Sequence, residues 1–361
     1  MTAYPTSKLK FAWMFGRNND LIFFFAPLVL GLAIYGMVQN NLIVSGLIFA
    51  IVAGNGLGLN QLHLGPSWLF WLDKKNLEHW SSNKKLAFLY FVGPPLILLL
   101  SAFIGVFHIG LVYVYTTLWG MQHFIQQNFG ILALYHNRNS GEAVASRTLQ
   151  SRSLWASSVF FCAFYFHKLI FNDNGGQSFV ILASLLLLVA VFYCVLYFLD
   201  IFKQVKAGAQ LNVPALLFWI MSVLYFLPFA VCKYDAQTAF LIPGVMHWVQ
   251  YLFLNYMLVK YKYREDNATL LPGPSIMIFV VVALLIFVAS FGLYALKPVL
   301  SGPSHNFLVG FIFGISNMHY YQDAFLWRFR EEFQRNSIMP YLKEARLAEN
   351  ATSIDIDKSG K

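Results

Sequence analysis

GISNMHYYQDAFLWRFR, residues 314–330, passes from an apolar run into a basic end. With the mostly apolar residues ahead of it, the segment 305–327 is long enough to cross a bilayer, and Arg328 and Arg330 mark where it leaves. Inside it sit His319, Gln322 and Asp323, spaced i, i+3 and i+4, so a helix puts all three on one face. Ionisable side chains at membrane depth are costly unless paired or bound, and such a face points to function. The pattern recurs in His123 with Gln126 and Gln127, and in His247 with Gln250.

The composition fits that reading. Of 361 residues, 58% are hydrophobic and only 11% charged, far fewer charges than a soluble domain carries. Ten apolar stretches can be read as spans: 21–38, 42–65, 86–106, 108–135, 153–171, 177–202, 213–232, 240–259, 274–296 and 305–327. With the N-terminus in the cytoplasm, only Lys168, Lys233 and Lys297 of the 25 Lys and Arg fall outside. This bias predicts an all-α polytopic transmembrane helix bundle, multi-pass in the inner (plasma) membrane, with both termini cytoplasmic. The net charge of +9 is then a matter of topology, and nucleic acid is not an expected partner. Residues 1–340 are expected to form one transmembrane domain, and 341–361 a polar cytoplasmic tail, disordered at its end.

Local details add to the picture. Gly54, Gly56 and Gly58 would let the second span pack closely. Pro66 is expected to end that helix, and Pro94-Pro95 to kink the third. Residues 66–85, PSWLFWLDKKNLEHWSSNKK, read as an amphipathic segment along the inner surface, with Trp68 and Trp71 in an interfacial belt. Cys162, Cys194 and Cys232 all fall in apolar runs and show neither a disulfide framework nor a thiolate metal motif.

Of nine histidines, five lie near the surfaces. The others, His63, His123, His247 and His319, fall on four spans that all descend from outside to inside. They precede the first inner charge by 11, 15, 13 and 9 residues, which puts them roughly 13–22 Å above the inner boundary. One layer can therefore hold all four as ligands to one metal. Gln126, Gln127, Gln250 and Gln322 would hydrogen-bond the imidazoles or help bind the cofactor, as would Asn60. Asp323 is the candidate catalytic group: it could orient His319, ligate the metal or move a proton, and Arg330 lies on the same stripe. The bland alternative is a hydrogen-bond network that glues helices together.

NDLIFFFAPLVL (19–30), HFIQQNFGILALYH (123–136) and HYYQDAFLWRFR (319–330) together resemble an uncharacterised family of polytopic bacterial membrane proteins. More remotely, histidines spread over membrane helices are similar in architecture to the Brp/Blh beta-carotene dioxygenases, which are thought to bind one iron this way. The desaturase and hydroxylase superfamily is similar in kind, but its HxxxH and HxxHH boxes are absent.

The leading expectation is an integral-membrane oxidoreductase or oxygenase. It would use histidine-ligated non-haem iron, or another transition metal, on a lipophilic substrate, with an electron donor as partner. The alternatives are a b-type haem protein and a proton-coupled transporter using intramembrane His and Asp. The topology is directly testable. A C-terminal reporter that works only outside the cytoplasm should stay silent, and signal from it would overturn the assignment.

Overall fold

The computed structural model describes residues 9–39, 59–136, 141–171, 176–231, 239–263 and 275–359. These are almost wholly helical; the one pairing of strands joins Leu9–Lys10 to Leu211–Asn212 in parallel. Four helices are long and apolar enough to cross a membrane: Arg17–Met37, Lys84–Tyr135, Arg147–Phe171 and Gln177–Lys206. Val213–Val223 and Ile276–Ser290 are shorter apolar helices. Leu241–Lys262 and Gly302–Leu326 have the length, but the histidines and amides they carry dilute their apolar character.

The chain parts into two compact units, each built from separated stretches. The first comprises 1–35, 125–243 and 352–361. There, buried Asp20 accepts the backbone N–H groups of Met14 (2.6 Å) and Phe15 (2.9 Å), which satisfies a carboxylate at the start of the first apolar helix. Asn212 accepts from the Ala12 N–H and donates to the Tyr135 carbonyl.

The second unit comprises 36–124 and 244–351 and holds every histidine of the deep set. Its helix Gly93–Tyr135 is broken at His108, where φ is −146° and ψ is 71°. The chain doubles back there, and one side chain proves it. Asn317 Nδ2 donates to both Ser101 Oγ (3.1 Å) and Thr116 Oγ1 (3.0 Å), which a straight helix would hold ~22 Å apart. The segment Lys84–Tyr135 is thus a hairpin of two arms, about 36 and 40 Å long. The break falls where the sequence divides spans 86–106 and 108–135.

Pro94 and Pro95 do disturb their helix: the five residues before Gly93, Phe88–Val92, widen into a π-helical turn. Prolines remove backbone donors, so upstream carbonyls need other partners. The Trp71 indole N–H supplies one to Tyr90 (2.9 Å), and the Tyr321 hydroxyl one to Leu89 (2.9 Å). Trp71 therefore does more than sit in a belt. The surface segment likewise goes deeper than expected. Asp73 caps helix Lys74–Ser81 and pairs with Lys262 (2.7 Å), while fully buried Trp80 stacks on Tyr90 at 4.3 Å.

The expected close packing at Gly54, Gly56 and Gly58 lies outside the described residues. A close approach occurs instead at Gly65, where a Cβ would come within 2.4 Å of the Ala283 Cα on helix Ser275–Leu296. The helix Leu59–Leu69 runs on through Pro66, contrary to the expected stop. Past Arg328, helix Glu332–Ser359 follows and takes in most of the stretch 341–361 expected to be a polar tail.

Gly310 meets the hairpin's first arm so closely that a Cβ would lie 2.6 Å from the Ser101 carbonyl oxygen. Asn317→Ala should lower stability by about 1 kcal/mol, as intramembrane hydrogen bonds do. Gly310→Val should cost clearly more, because backbone must shift. Unfolding in mixed micelles of increasing SDS content checks both.

Candidate metal centre

The four deep histidines come from four helices of the second unit: Leu59–Leu69, the second arm of the hairpin, Leu241–Lys262 and Gly302–Leu326. All four are buried. Their rings form a closed square. His63 lies 5.0 Å from His247 and 4.8 Å from His319, and His123 lies 4.9 Å from His247 and 5.1 Å from His319, centroid to centroid. Each of these contacts is edge to face.

Hydrogen bonds set the tautomers of two rings. His63 Nδ1 bonds the backbone carbonyl of Asn60, and a carbonyl can only accept, so Nδ1 carries the proton and Nε2 the lone pair. Asn60 thus serves through its backbone rather than its side chain. His319 Nδ1 bonds Ser67 Oγ at 2.8 Å. Ser67 gives its own proton to Asp323 Oδ1 (3.2 Å), and Tyr251 donates to the same oxygen (2.7 Å). Ser67 Oγ, which also lies 3.0 Å from the Tyr251 hydroxyl, can then accept from His319 Nδ1–H, the tautomer that leaves His319 Nε2 with a lone pair. Hydrogen-bonding one ring nitrogen to an oxygen is how proteins orient a metal-binding imidazole.

Asp323 presents its other oxygen, Oδ2, 3.7 Å from both His123 Nε2 and His319 Nε2. Among the described residues, none of these three buried atoms has a hydrogen-bond partner. Two overlapping sets of donors result. One ligand atom from each of His63, His247 and His319 lie within 4.8 Å of one another, and so do those of His123, His319 and Asp323. Metal ligands at bonds of ~2.0–2.2 Å sit about 3–4 Å apart, so a small inward adjustment suffices. The donor chemistry, imidazole nitrogen plus one carboxylate, suits a first-row transition metal.

Other expected residues sort unevenly. Gln250 and Gln322 are buried on the same helices as His247 and His319, one turn along. Neither amide atom of Gln322 has a partner among the described residues. Gln126 is exposed, and Gln127 half-buried. Position i+3 from His123 turns outward here. Arg330 is exposed and does not pair with Asp323. The sequence reading missed Ser67 altogether, although it lies one helical turn after His63. Tyr251 lies one turn after His247 on helix Leu241–Lys262. Tyr320 packs its ring 4.9 Å from that of His123.

Comparisons with protein-family models, with curated proteins and with solved structures return no match. The geometry of the site therefore carries the functional reading.

Gln126→Ala should shift stability by less than ~0.5 kcal/mol, as exposed changes do. Ser67→Ala should cost about 1–3 kcal/mol, because it strands a buried His319 N–H and removes a donor to Asp323. The same SDS unfolding series separates the two.

Proposed function

We propose that this chain is an integral-membrane oxidoreductase whose His63, His123, His247 and His319 hold one non-haem metal ion, iron, for an oxygenase-type reaction on a lipophilic substrate. The observation that supports this best is the closed square of four buried imidazoles, two of them wired to present Nε2. Bound iron would supply dioxygen binding and electron transfer, which imidazole-rich sites suit. The chain's own residues would orient the donors, exclude water and handle protons. Asp323, which accepts from Tyr251 and Ser67, would hold or pass a proton. The charge bias of the sequence supports ten spans with both termini in the cytoplasm, and a substrate would enter from lipid.

Haem b is less well supported. Two axial imidazoles must stand apart on either side of a flat macrocycle, and these rings touch edge to face with no such slot between them. Proton-coupled transport draws on one observation, the hydrogen-bonded chain His319–Ser67–Asp323–Tyr251, which has the make-up of an intramembrane proton relay.

Metal analysis of the detergent-purified protein is the test. The expected result is one iron per chain without a Soret band. His123→Ala and His247→Ala should each abolish the bound metal while the protein still inserts. A Soret band would favour haem, no metal would favour transport, and full occupancy in the histidine variants would end the proposal.

A further inference from the structure

We infer that Asp323 is a fifth ligand to that same metal, through Oδ2, and that Tyr251 and Ser67 are positioning residues that hold the carboxylate in place. The inference rests on the metal reading above and goes beyond it, since four histidines alone would satisfy a closed tetrahedral site.

Charge balance is the first argument. Asp323 is buried, and among the described residues no Lys or Arg approaches it; its only ion-pair contacts are His123 and His319. An unpaired carboxylate at membrane depth is expensive, and four neutral imidazoles do not offset it. A dication among the four rings would.

The second argument is how the two oxygens are used. Both hydrogen bonds, from Tyr251 (2.7 Å) and Ser67 (3.2 Å), go to Oδ1. Oδ2 has no hydrogen-bond partner among the described residues, yet it stands equidistant, at 3.7 Å, from the nitrogens of two proposed ligands. That spacing fits neighbouring ligands of one ion, about 3–4 Å apart. A carboxylate recruited only to steer His319 would take the Nδ1 proton, but that proton goes to Ser67.

The third argument concerns number. Both sets of donors include His319, whose Nδ1 is committed to Ser67, leaving only Nε2 to ligate. One nitrogen serves one ion, so the two sets describe a single centre with four nitrogens and one oxygen. An octahedral ion would retain one open position, room for a small ligand such as dioxygen.

Cobalt(II) in place of the native metal tests this without turnover, because its visible absorption is strong in four-coordinate sites and weak at five or six. Cobalt-loaded wild type should absorb weakly. Asp323→Asn should bind cobalt at least 100-fold more weakly and, once loaded, absorb more strongly. Tyr251→Phe and Ser67→Ala should keep the stoichiometry, with affinity lowered about 10–100-fold, as is usual for groups that orient a ligand. Strong four-coordinate absorption in wild type would overturn the inference even if Asp323→Asn failed to fold. So would an Asp323→Asn protein with unchanged spectrum and affinity. A wild type that binds neither cobalt nor iron would instead strike down the metal reading itself.

Discussion

Hydrocarbon offers no hydrogen bonds, so a polar group buried at membrane depth must find its partner within the protein. In the second unit that requirement falls on four imidazoles and a carboxylate at once. No single helix can answer it. His63 turns to its own backbone, His319 reaches Ser67 on another helix, and Asp323 takes donors from two helices. Ser67, Tyr251, His319 and Asp323 thereby tie three of the four helices at one level. Apolar packing brings helices together with little preference for rotation, whereas this polar cluster admits very few arrangements.

The same requirement explains how much could be read from the sequence. That the four histidines share one level was legible, because each can be counted back from a charge at the end of its apolar run. The turn between the third and fourth spans was legible too, since a 52-residue apolar run is too long for a single crossing. Face was harder to read. Gln126 and Gln127 straddle the direction of His123, and only the packed structure shows that Gln126 faces out. Ser67 escaped notice for a definite reason. Pro66 reads as a helix stop, yet the helix continues to Leu69, so Ser67 shares the face of His63. Contacts between distant stretches, such as Ser67 with His319 across 252 positions, leave no local mark on the sequence.

Two of the helices that carry the site are less apolar than the candidate spans. Leu241–Lys262 and Gly302–Leu326 hold the His, Gln and Asn side chains that draw them below an ordinary membrane helix in apolar character. Their burial inside the second unit replaces the lipid contact that more apolar helices enjoy. Neighbours pack closely on the helices that carry the site: the hairpin at Gly310, and helix Ser275–Leu296 at Gly65.

The hairpin itself has a consequence for biogenesis. Ser101 and Thr116 reach the membrane early in synthesis, while Asn317, which bonds both, follows 216 and 201 residues later. At ~5–20 residues per second the ribosome needs roughly 10–40 s to deliver it. For that interval the two arms stand in the bilayer with exposed hydroxyls and a glycine-lined notch awaiting Gly310. The contact that holds the two arms together through Asn317 can form only once helix Gly302–Leu326 has been made.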